Sequence, residues 1–136
     1  MLITCENQEL IASCLGCHDS YFDSFSADIE HHALCVTLTK SWAGNIREIQ
    51  FTDVICCSMT GFEPWGSGDG DCILAWQILA QDDAAAVFDG LIRQTNKDYS
   101  CDLSLLVCTE FVLVSGDRIR IVCKSACVDL WEERKP

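Results

Sequence analysis

The sequence predicts an α+β protein that is mainly β: an antiparallel sheet or sandwich of about six to seven strands with one packed helix at about residues 83–94. Three observations predict this class. Apolar and polar residues alternate from Leu34 to Thr39, as in a strand with one buried face. Two runs rich in β-branched residues, 105–114 and 118–124, flank the turn residues Ser115-Gly116-Asp117. Positions 84–92 carry a single apolar stripe with helical spacing.

The two runs near the end of the chain predict a β-hairpin. Glycine at the first of two central loop residues suits a type II′ turn, so we place the turn at Gly116-Asp117. The cross-strand pairs that follow are Val114 with Ile119 and Val112 with Ile121. We expect this β-branched face to pack in the core, because a slip of one residue would bury Arg118 and Arg120.

Four earlier segments also have strand character: 20–29, 33–39, 46–57 and 72–81. In the third, Ile49 and Phe51 share a face whereas Val54 has the opposite parity, so we expect a β-bulge at Thr52-Asp53. Periodicity alone does not assign the fourth segment, and we favour a strand. A single helical turn is expected at residues 7–12.

The predicted helix has signals at both ends. Asp82 or Asp83 can cap its first turn, and Arg93 near its end complements the helix dipole. The residues of its apolar stripe are Ala84, Val87, Phe88, Leu91 and Ile92. This stripe is expected to pack the helix on the sheet.

Length and charge narrow the function classes. The 136 residues suit one domain, 1–136, and the 21 acidic residues against 9 basic ones give a net charge of −12. Such a surface repels phosphate backbones and anionic lipid, so we expect neither nucleic acid nor membrane as a partner. A basic protein is the partner that this field attracts. The first residues lack the basic region of a signal peptide, and we expect a cytoplasmic protein.

The eleven cysteines include one motif with known chemistry. Several, such as Cys35, Cys108 and Cys123, occupy strand positions where a small buried apolar residue is expected. The segment Cys14-Leu15-Gly16-Cys17-His18 matches the attachment pattern of c-type haem. Cys14 and Cys17 are alternatively zinc ligands together with Cys123 and Cys127 or with Cys56 and Cys57. We nevertheless predict no cofactor, because such a cysteine content makes accidental matches common.

A glycine-rich loop at residues 61–71 is the predicted contact surface. It carries Trp65 together with Asp69 and Asp71 and has no periodic pattern. It lacks the Lys-Ser/Thr of a phosphate-binding loop and the closing Glu of a calcium-binding loop. An aromatic side chain on an exposed loop is a common partner contact, so we assign partner binding to these three residues.

Several segments together resemble a known group of proteins. They are His18-Asp19-Ser20, the strand segment 49–54, Phe62-Glu63-Pro64-Trp65-Gly66, and the hairpin motif from Phe111 to Cys123. This combination resembles a family of small, uncharacterised, β-rich bacterial proteins, which is similar to immunity proteins of polymorphic toxin systems. The resemblance implies a β-rich fold and a protein partner, and no catalytic residue is implied by it.

The predicted function is therefore that of a non-enzymatic cytosolic binding protein, of the acidic immunity type, with a basic protein partner. The alternative is a cysteine-based metal- or haem-binding protein that uses Cys14, Cys17 and His18. Exposed parts of strand 72–79 offer an edge for a homodimer.

Overall fold

The computed structural model describes residues 1–59, 72–95 and 102–132, except for the side chains of residues 91–95. The elements in chain order are β1 (Leu2–Ile3), α1 (Leu10–Ser13), β2 (Phe22–Asp28), β3 (Ala33–Leu38), β4 (Ile46–Met59), β5 (Ile73–Ile78), α2 (Gln81–Thr95), a 3₁₀ turn (Leu103–Leu105), β6 (Val107–Leu113) and β7 (Arg118–Leu130). The predicted mainly β, α+β class with an antiparallel sheet is confirmed.

The described strands form one antiparallel sheet in the order β2-β3-β4-β7-β6-β5, with β1 paired to β7. The long strand β7 is central. It pairs with β4 over nearly its whole length, while its first half also pairs with β6 and its second half with β1. The last strand of the chain therefore holds together all the other parts of the sheet.

The sheet curls until its two end strands meet. Tyr21, just before β2, forms an antiparallel bridge with Cys72, just before β5. The Asp19 amide donates a hydrogen bond of 2.9 Å to the Ile73 carbonyl, and the Ile73 amide donates one of 2.8 Å to the Ser20 carbonyl. Aromatic rings of strands that are not neighbours consequently touch across the interior, among them Phe22 of β2 and Phe111 of β6 at 5.3 Å between ring centroids. The result is a partly open barrel with an apolar centre.

The core has two parts on opposite faces of the sheet. The larger fills the barrel and includes the buried side chains of Phe51, Trp76 and Phe111. The smaller lies outside the barrel, where Ala84 of α2 packs with Cys108 of β6 and Val122 of β7. The predicted helix and its packing on the sheet are confirmed for Ala84 and Phe88, which are buried. The side chains of Leu91 and Ile92 lie outside the described part.

The predicted hairpin is present, but its register differs from the predicted one. The Gly116 amide donates to the Leu113 carbonyl and the Leu113 amide to the Asp117 carbonyl, both at 2.9 Å, so the loop is Val114-Ser115-Gly116. Gly116 has a φ of +90°, as expected for the left-handed residue that ends a three-residue loop. The observed pairs are Phe111 with Ile119 and Thr109 with Ile121. The shift of three residues reverses the faces of β6 and buries Phe111 in place of Val112, which favours this register because an aromatic ring buries more apolar surface.

The long strand β4 changes face near the predicted position. Asp53 has a left-handed backbone with a φ of 52°, and the pairing of β4 with β7 shifts between Val54 and Cys56. Phe51 and Val54 accordingly both contact the barrel core although their parity differs. The predicted bulge at Thr52-Asp53 is thus misplaced: the pairing with β7 stays in register through Val54, and the register shift follows it, whereas Asp53 is marked only by its left-handed backbone.

Candidate functional site

The predicted partner-binding residues, Trp65, Asp69 and Asp71, lie outside the described residues. The ends of their loop are defined: Met59 pairs with Ile119 of β7, and Cys72 forms the bridge that closes the barrel. Met59 and Cys72 therefore lie at the same end of the barrel. Its role in partner binding stays a prediction.

The structure separates the side chains of the Cys14 to His18 motif. Cys14 is exposed, whereas Cys17 is only 1% exposed and belongs to the barrel core. Burial raises the pKa of the Cys17 thiol to about 12. His18 donates from Nδ1 to the Leu74 carbonyl at 2.9 Å, which ties the segment to β5. This arrangement does not fit a haem, because both thiols of such a motif must reach the cofactor from one accessible surface.

The zinc alternative requires several ligand side chains around one point. Within residues 1–59, 72–95 and 102–132, no three His, Cys, Asp or Glu side chains converge as they would around a metal ion.

The described helices also include none that is long and apolar enough to cross a membrane.

A concave feature formed by described residues lies at the opposite end of β4 and β7 from α2. Two adjacent cavities of about 430 and 400 Å³ share Arg47 and Trp131 as walls. We name them together the Trp131 cleft. The first is lined by Lys40, Arg47, Asp129, Leu130, Trp131 and Glu132, and the second by Asp23, Thr37, Leu38, Arg47, Glu48 and Trp131. The cleft is within the size range of small-ligand sites and has an aromatic wall with charged rims.

Two β-bulges shape this cleft. The pairing of β2 with β3 shifts between Phe22 and Ser24, which makes Asp23 an extra residue in β2. The pairing of β4 with β7 shifts between Ile46 and Glu48, which makes Arg47 an extra residue in β4. A bulge redirects a side chain out of the regular alternation, and bulges are common beside functional sites. Here both extra residues line the cleft.

The charged groups of the cleft are only partly paired with one another. Arg47 donates from its guanidinium to the Asp129 carboxylate, and this hydrogen bond and the attraction of Asp129 raise the pKa of Arg47. Glu48 accepts a hydrogen bond of 3.2 Å from the Cys35 thiol at Oε1. Desolvation, followed by this carboxylate, raises the pKa of Cys35 to about 11, so the thiol stays protonated as a donor. The cleft thus contains one internal ion pair and further carboxylates at its rim.

A tryptophan in the neighbouring loop is almost fully exposed. Trp42 lies between β3 and β4, two residues after Lys40 of the cleft, and 92% of its surface is accessible. An exposed indole offers a large apolar contact area, and tryptophan is enriched among the residues that dominate binding energies at interfaces. Trp42 is therefore the outstanding contact candidate of the described surface.

The backbone around Trp42 is held on both sides. Ser41 accepts from the Gly44 amide and donates to the His18 carbonyl through its Oγ, both at 2.7 Å. The Asn45 side chain accepts from the Gly16 amide at 2.8 Å and donates to the Cys14 carbonyl at 3.1 Å. The Trp131 amide donates to the Asn45 carbonyl at 2.9 Å, which joins this loop to the wall of the cleft. Trp42 is thus presented by a preorganised loop, and such order lowers the entropy cost of binding.

A separate polar cluster on the outer face of β5, β6 and β7 is fully paired. Glu110, only 3% exposed, accepts at Oε1 from Gln77 at 2.7 Å and from Arg118 at 2.9 Å, and at Oε2 from Arg120 at 3.1 Å. Burial alone raises the pKa of Glu110, but the hydrogen bonds from Gln77 and Arg120 and the two arginine charges outweigh burial and lower it. This cluster joins three strands and has a structural role.

Sequence reasoning did not single out Trp42, Trp131, Asp23 or Arg47. Trp42 lies between the predicted strands 33–39 and 46–57, and Trp131 lies beyond the predicted hairpin. A tryptophan inside a short polar turn, where the core is out of reach, was the available signal for Trp42. No sequence signal marks the two bulges.

Comparisons with known proteins give no relative. No family model matches the chain, and no curated protein or solved structure matches it either.

Proposed function

We propose that this chain is a non-enzymatic binding protein whose partner is a basic protein, and that Trp42 and the Trp131 cleft form its contact surface. The observation that carries the proposal is the 92% exposure of Trp42 on a loop held in place by side-chain hydrogen bonds. The resemblance to immunity proteins of toxin systems points to the same class. Trp65 with Asp69 and Asp71 is a second proposed contact.

The charge distribution supports a basic partner. The chain carries 21 acidic and 9 basic residues, and three arginines are already in internal ion pairs. Arg47 pairs with Asp129, and Arg118 and Arg120 share the carboxylate of Glu110. The exposed carboxylates of the described surface are thus largely uncompensated, and complementary charge increases the rate of association with a basic partner.

Capture of a partner from lysate of the source cell, followed by binding measurements with the purified partner, tests this proposal. Three proteins are compared: the wild type, Trp42→Ala, and Ile29→Ala as a matched control. Ile29 is also an exposed apolar residue, 85% accessible, but it lies at the other end of β3 in the turn after β2. Unchanged thermal unfolding of both variants establishes that they are folded.

The expected partner has a high isoelectric point, and its affinity falls steeply between low and high salt because screening shortens the range of the charges. Trp42→Ala should weaken binding by about tenfold or more, as loss of a contact tryptophan does, while Ile29→Ala leaves it unchanged. A neutral or acidic partner with salt-independent affinity would overturn the proposal. Equal binding by the wild type and Trp42→Ala would remove Trp42 from the contact surface.

A further inference from the structure

The cleft beside Trp42 has more negative than positive charge. Among the described residues its lining contains four carboxylates, Asp23, Glu48, Asp129 and Glu132, and two cations, Lys40 and Arg47, a net charge of −2. Asp129 is already bound to Arg47. The charges of Glu48 and Glu132 also act on Arg47, but the described lining still has more carboxylates than cations and so has the capacity to accept another cation.

The position of these carboxylates is not that of an ordinary solvated strand surface. Asp23 is the extra residue of the bulge in β2, so its side chain leaves the regular alternation beside the second cavity. Glu48 of β4 pairs with Thr37 of β3, and its Oε1 accepts a hydrogen bond from the Cys35 thiol. The indole of Trp131 forms the wall common to both cavities. Carboxylates and an aromatic wall therefore border one concave space.

We infer that the Trp131 cleft is a subsite for one arginine side chain of a protein partner. A guanidinium is planar and always charged, stacks on an indole face, and pairs with carboxylates through parallel hydrogen bonds. One guanidinium of the chain itself already bonds a carboxylate there, since Arg47 donates to Asp129 and both residues line the first cavity with Trp131. The inference rests on the proposed function and specifies the chemistry of its contact.

The subsite adjoins the loop that carries Trp42. Trp42 follows Lys40 by two residues in the sequence, and its loop is joined to the cleft wall because the Trp131 amide donates to the Asn45 carbonyl. An arginine of the partner that enters the cleft brings its neighbouring residues over this loop. Trp42, which is 92% exposed on this loop, is then available for contact with those neighbouring residues.

The test uses N-acetyl-arginine methylamide as a probe on the full chain. Binding is followed by the indole N–H signals in two-dimensional NMR, with the Trp131 signal assigned from Trp131→Phe. The citrulline analogue is the matched control ligand, because it has the same shape without the charge. The variants are Asp23→Asn and Glu48→Gln, with Asp83→Asn as the control. Asp83 is exposed in the first turn of α2, at the other end of the sheet.

The expected result is a saturable shift of the Trp131 signal with the arginine probe and a much smaller one with the citrulline probe. Asp23→Asn and Glu48→Gln should each lower the affinity for the arginine probe by about tenfold, the usual cost of removing a charged partner from a guanidinium. Asp83→Asn should change nothing. Equal shifts with both probes, or an unchanged response in both cleft variants, would overturn the inference.

The arginine subsite and the proposed function are tested by different measurements. If the arginine probe fails while the purified basic partner still binds the wild type and loses affinity for Trp42→Ala, the protein is a binding protein whose cleft is not an arginine subsite. If the partner measurements fail as well, both proposals fall.

Discussion

Replacing both arginines of the Glu110 cluster should destabilise the protein by stranding a buried negative charge. In Arg118→Met/Arg120→Met, Glu110 loses two of its three hydrogen-bond donors and both opposing charges. The methionines keep the length and apolar stems of the side chains. The carboxylate, only 3% exposed, remains with Gln77 as its described partner.

The expected loss follows from the exposure of the three groups. Removing one side of a fully buried ion pair costs about 3–5 kcal/mol. The arginine side chains are 44% and 25% exposed, so solvent screens part of their interaction, and we expect the low end, about 3 kcal/mol. With an unfolding entropy of about 2 cal/mol/K per residue over 136 residues, this corresponds to a fall of roughly 10 °C in Tm.

The stability difference between the double variant and the wild type should depend on pH, because the pKa of Glu110 differs between them. In the wild type the pKa of Glu110 is lowered by folding, so its contribution is present above the unfolded pKa and is lost as the pH falls through the folded pKa. In the double variant, burial without the cations should raise that pKa above the unfolded value. The variant should then regain stability relative to the wild type between about pH 7 and about pH 5.

Chemical denaturation at both pH values measures these differences, and Glu110→Gln in the double-variant background is the control. The triple variant should recover about 2 kcal/mol at neutral pH, because the stranded charge is gone. A free energy of unfolding of the double variant within about 1 kcal/mol of the wild-type value would refute the reasoning. So would a loss that Glu110→Gln does not reduce.

Three further predictions concern the turns and the thiols. Asn45→Ala should lower the free energy of unfolding by about 1–2 kcal/mol, since the Gly16 amide and Cys14 carbonyl both lose their side-chain partner; Asn45→Asp, which keeps the acceptor, should lose less in denaturant titrations. Gly116→Ala should cost about 1 kcal/mol, because its φ of +90° strains any side chain, whereas Ser115→Ala should cost less; similar unfolding midpoints for both would contradict the observed loop. A thiol reagent at neutral pH should modify the exposed Cys14 rapidly, and it should modify the buried Cys17, whose pKa is raised to about 12, only on unfolding. In timed labelling, Cys14→Ser should therefore remove one rapidly reacting thiol, whereas Cys17→Ser should not.

The sequence was informative where one face of a segment is buried along its whole length. Leu34, Val36 and Leu38 alternate with polar or small residues because β3 is covered on one side, and the observed strand buries all three. Ala84 and Phe88 predicted the packed face of α2 for the same reason. Burial of Cys108 and Cys123 also followed from their apolar neighbours.

The register of the final hairpin did not follow from the sequence because Gly116 suits two loops. It can begin a two-residue type II′ turn or end a three-residue loop in the left-handed conformation. Tertiary packing decides between them, since only the second turns Phe111 into the barrel. That packing depends on Phe22 and Phe51, which are far away in sequence.

The candidate site was beyond sequence reasoning for a related cause. Asp23 and Arg47 reach the cleft through bulges, and a bulge breaks the alternation on which strand assignment rests. Cys17 and Cys14 show the reverse case. Their spacing suggested shared chemistry, but the fold places one thiol in the apolar interior and the other in solvent.

The central place of β7 has a consequence for synthesis. This strand leaves the ribosome after all the others, yet β1, β4 and β6 find their common neighbour only in it. Until then a nascent chain carries β2, β3 and β4 as a meander with an unsatisfied border on β4, open to pairing with other chains. Premature termination before Arg118 would leave that border permanently open, and such fragments should aggregate instead of accumulating as folded intermediates.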